Sequence, residues 1–109
     1  MNDPGRAADA VRPLRFPDEN APLYTVGQVA SMLDVQPAFL RRLDALDVVR
    51  PSRSDGGQRR YSRREIDQVH VINGLMGDGM TLAGAQRIVL MQAEIDDLRR
   101  QIAELTEPS

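Results

Sequence analysis

A chain of 109 residues with a formal net charge of −2 is one small domain by length, of a size that often gains stability from a partner subunit. It has no Cys and a single His, His70, which excludes disulfides, thiolate metal sites, iron–sulfur clusters and a His-based metal site, so no cofactor is expected. No apolar run approaches the roughly 18 residues that span a bilayer, and the N-terminus has no apolar signal-peptide core. A soluble cytoplasmic protein with no membrane partner is the expectation.

The net charge argues against a nucleic-acid partner, but its distribution argues for one. All 14 basic residues are Arg, and eight of them fall between Arg41 and Arg64. The acids in that window are Asp44, Asp47 and Asp55, which leaves about five net positive charges there, whereas other acids gather from Glu94 to Glu107. Attraction to phosphate is screened beyond about 8–10 Å, so the local balance governs binding. With two Phe and two Tyr the core must be mainly aliphatic.

Residues 1–22 hold four of the seven Pro and no sustained hydrophobic period. They read as a disordered arm whose Arg6, Arg12 and Arg15 are candidate backbone contacts. Thr25-Val-Gly-Gln28 fits a capping box opening the first helix. Val26, Val29, Ala30 and Leu33 follow at i, i+3, i+4, i+7, one apolar face. Asp34-Val35 breaks the run, and Pro37 suits the first turn of a second helix, where its missing N–H costs nothing. Leu40, Leu43 and Leu46 supply that helix with a buried edge, while at least one of Arg41 and Arg42 faces solvent. Two short helices joined by so tight a turn form a helix-turn-helix.

Val48-Val49 reads as the start of a small strand, Asp55-Gly56-Gly57 as a turn, and Gln58-Arg59-Arg60-Tyr61 as the returning strand. The result is a two-stranded wing carrying Arg50, Arg53, Arg59 and Arg60, with Arg59 and Tyr61 on one face and Arg60 on the other. Ser62-Arg-Arg-Glu65 is a second capping box, opening a helix with Ile66, Val69, Ile72 and Met76 at helical spacing. Gly77-Asp78-Gly79 supports a left-handed stop. His70, beside the apolar face, reads as structural or surface.

Thr81 caps a last helix over about Leu82–Leu105. Leu82, Ala85 and Val89 are expected to fold back onto the domain, with Gly84 weakening the first turns by up to about 1 kcal/mol relative to Ala. Ile88, Met91, Ile95, Leu98, Ile102 and Leu105 then alternate spacings of three and four, an a/d seam that a second copy of the chain would cover. Asp96 and Arg100 are spaced for a surface pair. The expected organisation is an arm over 1–22, a winged helix-turn-helix domain over 23–80, a dimerisation helix over 81–106 and a tail over 107–109, mainly α in class.

The run Tyr24-Thr-Val-Gly-Gln-Val-Ala30, the pair Leu40-Arg41, the wing Gly57-Gln-Arg-Arg-Tyr-Ser62 and Gly79-Met-Thr-Leu82 resemble the MerR family of bacterial transcription regulators. Gly56-Gly-Gln-Arg-Arg-Tyr-Ser62 with Leu82-Ala-Gly84 is most similar to the HspR-type heat-shock repressor branch. The resemblance implies a homodimer joined by an antiparallel coiled coil, with the second helix in the major groove and the wing on flanking phosphates. It assigns Arg41, Arg59, Arg60, Tyr61 and Thr25 to the DNA contact. Where many members carry a second-helix Arg this chain has Ala38, and Arg42-Leu43 replace the usual aromatic residues. Gln36, Phe39 and Arg42 are then the candidates for base readout. Sensor members carry a ligand domain or Cys ligands after the coil; neither is present here, so no small-molecule or metal effector is expected. Control would come from abundance, from the arm, or from a partner such as RNA polymerase or a regulatory protein.

The leading expectation is sequence-specific binding of duplex DNA by a homodimer at an inverted repeat, as a repressor or co-regulator. An architectural, excisionase-like DNA binder with a nucleoid role and a protein-interaction module recruited through the coil are the alternatives. No carboxylate pair, nucleophile with a base or phosphate loop points to an enzyme.

Overall fold

The computed structural model describes residues 18–106. Its elements are β1 (Tyr24–Thr25), α1 (Val26–Leu33), α2 (Pro37–Ala45), β2 (Ser52–Arg53), β3 (Arg59–Tyr61), α3 (Arg63–Gly77) and α4 (Leu82–Thr106). Residues 1–17 and the tail 107–109, with the candidate contacts Arg6, Arg12 and Arg15, lie outside the described residues. The segment just before β1 is tied down rather than trailing. Asp18 turns the chain by accepting from the N–H groups of Asn20 and Ala21. The Glu19 carbonyl then accepts from the Arg64 N–H, and the Leu23 N–H donates to the Tyr61 carbonyl.

Each helix starts and stops where its local chemistry requires. At the head of α1 the Thr25 hydroxyl accepts from the Gln28 N–H at 3.1 Å, while the Gln28 side chain accepts from the Thr25 N–H at 2.8 Å. Asp34 ends α1 in the left-handed region, φ 53°, a conformation that Asp tolerates better than most residues. Pro37 then opens α2 within three residues. The end of α2 is a Schellman motif: Asp47 sits at φ 58°, its N–H donates to the Asp44 carbonyl, and the Val48 N–H donates to the Leu43 carbonyl at 2.8 Å.

That motif corrects the expected strand at Val48-Val49. These residues complete the helix stop, and Val49 drops into the core at 2% exposure. Pro51, which has no N–H for a ladder, follows, and pairing begins only at Ser52. The wing also has a third strand. β3 is central, with β1 and β2 antiparallel on either side, Thr25 and Ser52 both opposite Arg60. The hairpin tip closes by the Gly57 N–H on the Ser54 carbonyl and the Ser54 N–H on the Gln58 carbonyl, with Gly57 at φ 81°, where a side chain would be strained.

Ser62 and Glu65 form the second capping box, at 2.8 and 3.1 Å, and Ser62 is buried. α3 ends in a second Schellman motif: Gly79, φ 98°, donates to the Met76 carbonyl and Met80 to that of Leu75. The Thr81 hydroxyl caps α4 through the Gly84 N–H. Val29 and Ala30 of α1, Leu40 and Leu43 of α2, Val49, Tyr61, Ile66, Val69 and Ile72 of α3, and Ala85 of α4 form one core.

α4 has two faces. Leu82, Ala85 and Val89 pack on the core as expected. Roughly opposite on the helix, Ile88, Met91, Ile95, Leu98, Ile102 and Leu105 are exposed, from 38% at Ile88 to 86% at Leu105. With 25 residues the helix is about 37 Å long, so most of it extends beyond the core. The expected Asp96–Arg100 pair does not form. Arg100 instead meets Asp97 at 3.1 Å, the i+3 alternative, and Asp96 accepts from Gln92. Among the described residues no helix is long and apolar enough to cross a membrane. His70 is on the surface.

Because the Ser62 hydroxyl holds the first turn of α3 from a buried position, Ser62→Ala should destabilise the fold by about 1 kcal/mol. A thermal melt of the two proteins under one set of conditions reads this as a lower Tm for the variant.

Candidate nucleic-acid interface

α2 buries Leu40 and Leu43 and therefore turns the opposite face outward. Ala38, Arg41, Arg42 and Ala45, at i, i+3, i+4 and i+7, are all exposed. Both arginines face solvent, together with Gln36 at the head of the helix, whose side chain makes no capping bond. Phe39 is partly buried and packs against the core, where it helps seat the helix.

The wing stands beside this helix. Thr25, Val26, Gly27, Arg41, Arg53, Gly57, Gln58, Arg59 and Arg60 together line an open cleft of about 460 Å³. Four arginines from α2, β2 and β3 thus line one concavity with the head of α1. Arg42 and Arg50 do not line it. Arg50 lies on the approach to β2 and pairs with Asp47 at 3.3 Å, both side chains largely in solvent.

A single carboxylate organises the cleft. Asp44 on α2, with its side chain only 11% exposed, accepts through one oxygen from Arg59 Nε at 2.6 Å and from Arg53 Nη2 at 3.2 Å. Arg53 also donates to the Gly57 carbonyl at the hairpin tip. Asp44 therefore bonds to both strands of the hairpin and fastens the wing to α2. Such charge-assisted bonds are about twice as strong as neutral ones. Arg60 has no such partner: its guanidinium donates to the Arg59 carbonyl at 3.2 Å and reaches the Gln58 side chain at 3.5 Å. Among the described residues no carboxylate lies within ion-pair distance of Arg41, Arg42 or Arg60.

Tyr61 is corrected most firmly. Its ring is fully buried and its hydroxyl has no hydrogen-bond partner among the described residues, so it cannot reach DNA. Its place is under the clamp. Burial pushes its pKa up, and the neighbouring Asp44 carboxylate pushes the same way against the Arg59 guanidinium. Sequence reasoning missed Asp44, which counted only as an acid diluting a basic window. Its partners lie 9 and 15 residues away, and no local spacing marks them.

The chain is similar to known proteins in sequence and in fold. A family model described as MerR HTH family regulatory protein matches residues 24–92. The putative heat shock protein HspR of Streptomyces coelicolor is 35% identical over 88 residues, covering 80% of this chain and 58% of that protein, so this chain spans little more than half its length. The HTH-type transcriptional regulator GlnR of Bacillus anthracis is 25% identical over 91 residues, covering 81% of this chain and 70% of that one. In fold, a MerR family transcriptional regulator from Bacillus cereus superposes with a TM-score of 0.59 at 23% identity, over 75% of this chain and 66% of that one. HiNmlR, a MerR family regulator lacking the sensor domain and solved bound to promoter DNA, gives 0.56 at 21% identity, over 75% and 74%.

The buried Tyr61 hydroxyl has a measurable consequence. Its folded pKa lies above its unfolded value, so its contribution to stability is full below the usual phenol pKa of about 10 and is lost as pH rises through the folded value. Tyr61→Phe removes the unpartnered hydroxyl and should match or slightly exceed the parent Tm at neutral pH. Above about pH 10, the phenol range, its Tm should fall less steeply than the parent's in the same pH series.

Proposed function

We propose, since this chain belongs to the MerR HTH family of regulatory proteins, that it is a sequence-specific binder of duplex DNA that regulates transcription as a homodimer on an inverted repeat, acting as a repressor or co-regulator. The observation that carries the reading is the convergence of Arg41, Arg53, Arg59 and Arg60 from three elements on one cleft. Guanidinium forks match phosphate oxygens bidentately, and an exposed helix face beside them has the shape of a major-groove reader. In this reading α2 enters the groove with Gln36, Ala38, Arg41 and Arg42 outward. Arg60 and the wing tip take the adjoining backbone, and the Thr25 end of α1 abuts a phosphate. Arg50 adds charge at the flank.

The exposed seam of α4 supports the homodimer. Six large apolar side chains on one helical face, with no cover among the described residues, bury best against the same seam of a second copy. Pairing presents the basic cleft twice, and two coupled clefts match two half-sites of an inverted repeat. The Streptomyces coelicolor relative, whose name marks it as a putative heat shock protein, supports a link to heat shock.

In mobility-shift titrations the full chain should retard a duplex enriched from a random-sequence library well below the concentration needed for a scrambled duplex. Equal, weak binding to both, lost steeply with salt, would leave only non-specific attraction. Arg60→Ala should weaken binding to both duplexes and flatten the salt dependence by about one unit of slope. For the dimer, Ile95→Asp places a charge in the seam and should give a monomer in sedimentation velocity. A variant that still sediments as a dimer would show that another surface joins the copies.

A further inference from the structure

The cleft holds four arginines, yet two of them are already engaged. Arg59 Nε lies 2.6 Å from Asp44, and Arg53 Nη2 reaches the same oxygen at 3.2 Å. Arg59 is three-quarters buried as well, its side chain 24% exposed. Arg41 and Arg60 have no carboxylate within ion-pair distance among the described residues. The basic surface is thus divided into arginines open to a ligand and arginines spent on holding the wing against α2.

We propose that Asp44 is a positioning and specificity-determining residue of this interface: it fixes the angle between wing and helix α2, and it withholds Arg53 and Arg59 from indiscriminate phosphate contact. The inference rests on the DNA-binding reading and deepens it. The physical ground is a difference of affinities. Any duplex offers phosphates, so each freely swinging arginine adds to binding on every sequence alike. Specificity grows when base-reading geometry is rigid and the sequence-blind component is kept small. Asp44 serves both ends through one carboxylate. It bonds to both strands of the hairpin, so the wing is set relative to the outward face of α2, and it neutralises part of the charge that would otherwise bind any polyanion.

The two effects of removing its charge are opposite in sign, and a merely structural role would not show this. Asp44→Asn keeps the shape and frees two guanidinium groups. Affinity for a scrambled duplex should rise, with the slope of log affinity against log salt steepening by about 1–2 units, about 0.9 for each phosphate newly engaged. Affinity for the enriched duplex should not rise in step, because the wing is no longer fixed. The ratio of the two should fall by about tenfold, the scale of one lost charge-assisted hydrogen bond. Arg53→Gln supplies an independent arm that leaves the buried Arg59–Asp44 bond in place. If Asp44 withholds Arg53, this variant binds the scrambled duplex nearly as the parent does, unlike Arg60→Ala.

The experiment is a salt-series titration of the parent, Asp44→Asn, Arg53→Gln and Arg60→Ala against the enriched and scrambled duplexes, with a thermal melt of each protein. A lower ratio with a steeper slope for Asp44→Asn, and an unchanged scrambled-duplex affinity for Arg53→Gln, support the proposal. It is overturned if both affinities of Asp44→Asn fall together with an unchanged slope. It is equally overturned if Arg53→Gln loses as much scrambled-duplex affinity as Arg60→Ala, a result that stands even where Asp44→Asn does not fold. Failure of the underlying reading looks different: the parent itself enriches no duplex, and then the ratio that Asp44 is said to set does not exist.

Discussion

The contact between the Asp44 carboxylate and the Arg59 guanidinium, 2.6 Å long and largely shielded from water, joins the wing to α2 above the core they share. Below the contact lies the fully buried ring of Tyr61, which belongs to the wing by sequence and to the core by position. One face of β3 thus anchors the sheet, and the other offers Arg60 to the cleft. The wing is an extension of the packed domain, and its basic side chains inherit the rigidity of the core.

The second organising feature is the division of labour along α4. Its first two turns close the core through Leu82 and Ala85, and its remaining length carries an apolar stripe on the opposite side. Gly84 belongs to this arrangement. A Cβ there would come within 3.1 Å of the Met80 side chain and 3.3 Å of the Thr81 hydroxyl that caps the helix. The weak helix former therefore sits where the chain leaves little room for a side chain, and the buried Ala85 packs beside it. The same helix both completes the domain and, in the proposed dimer, determines the distance between two copies of the cleft.

Much of this was legible in the residues because it is local. Thr25 with Gln28 and Ser62 with Glu65 are three apart, Pro37 starts α2, and the stop at Gly79 is a glycine where a left-handed residue is needed. The periodic apolar faces identified most core residues of α1, α2 and α3 for the same reason, but Leu46, expected on the buried edge of α2, is 53% exposed because the helix stops at Ala45 and the chain turns away. Features that depend on distant pairing were not legible. β1 is two residues long and becomes a strand only because Tyr24 and Thr25 lie against Tyr61 and Arg60. Val48-Val49 has the composition of a strand but is claimed by the end of α2. Arg59 and Arg60 are neighbours of one type and both line the cleft, yet one is held by Asp44 and the other has no carboxylate partner among the described residues. No spacing rule separates them, because the acid that makes the difference comes from another element.

Arg59 fastens the wing to α2, while Arg41 and Arg60 have no carboxylate partner among the described residues. Hydrogen exchange of the individual arginine Nε–H groups by NMR reads this directly, in the free protein and after addition of a duplex. The account predicts a slowly exchanging Arg59 Nε–H in both states, with the Arg41 and Arg60 signals shifting when DNA is added. An Arg59 Nε–H that exchanges with water as fast as that of the exposed Arg63 in the free protein would contradict it.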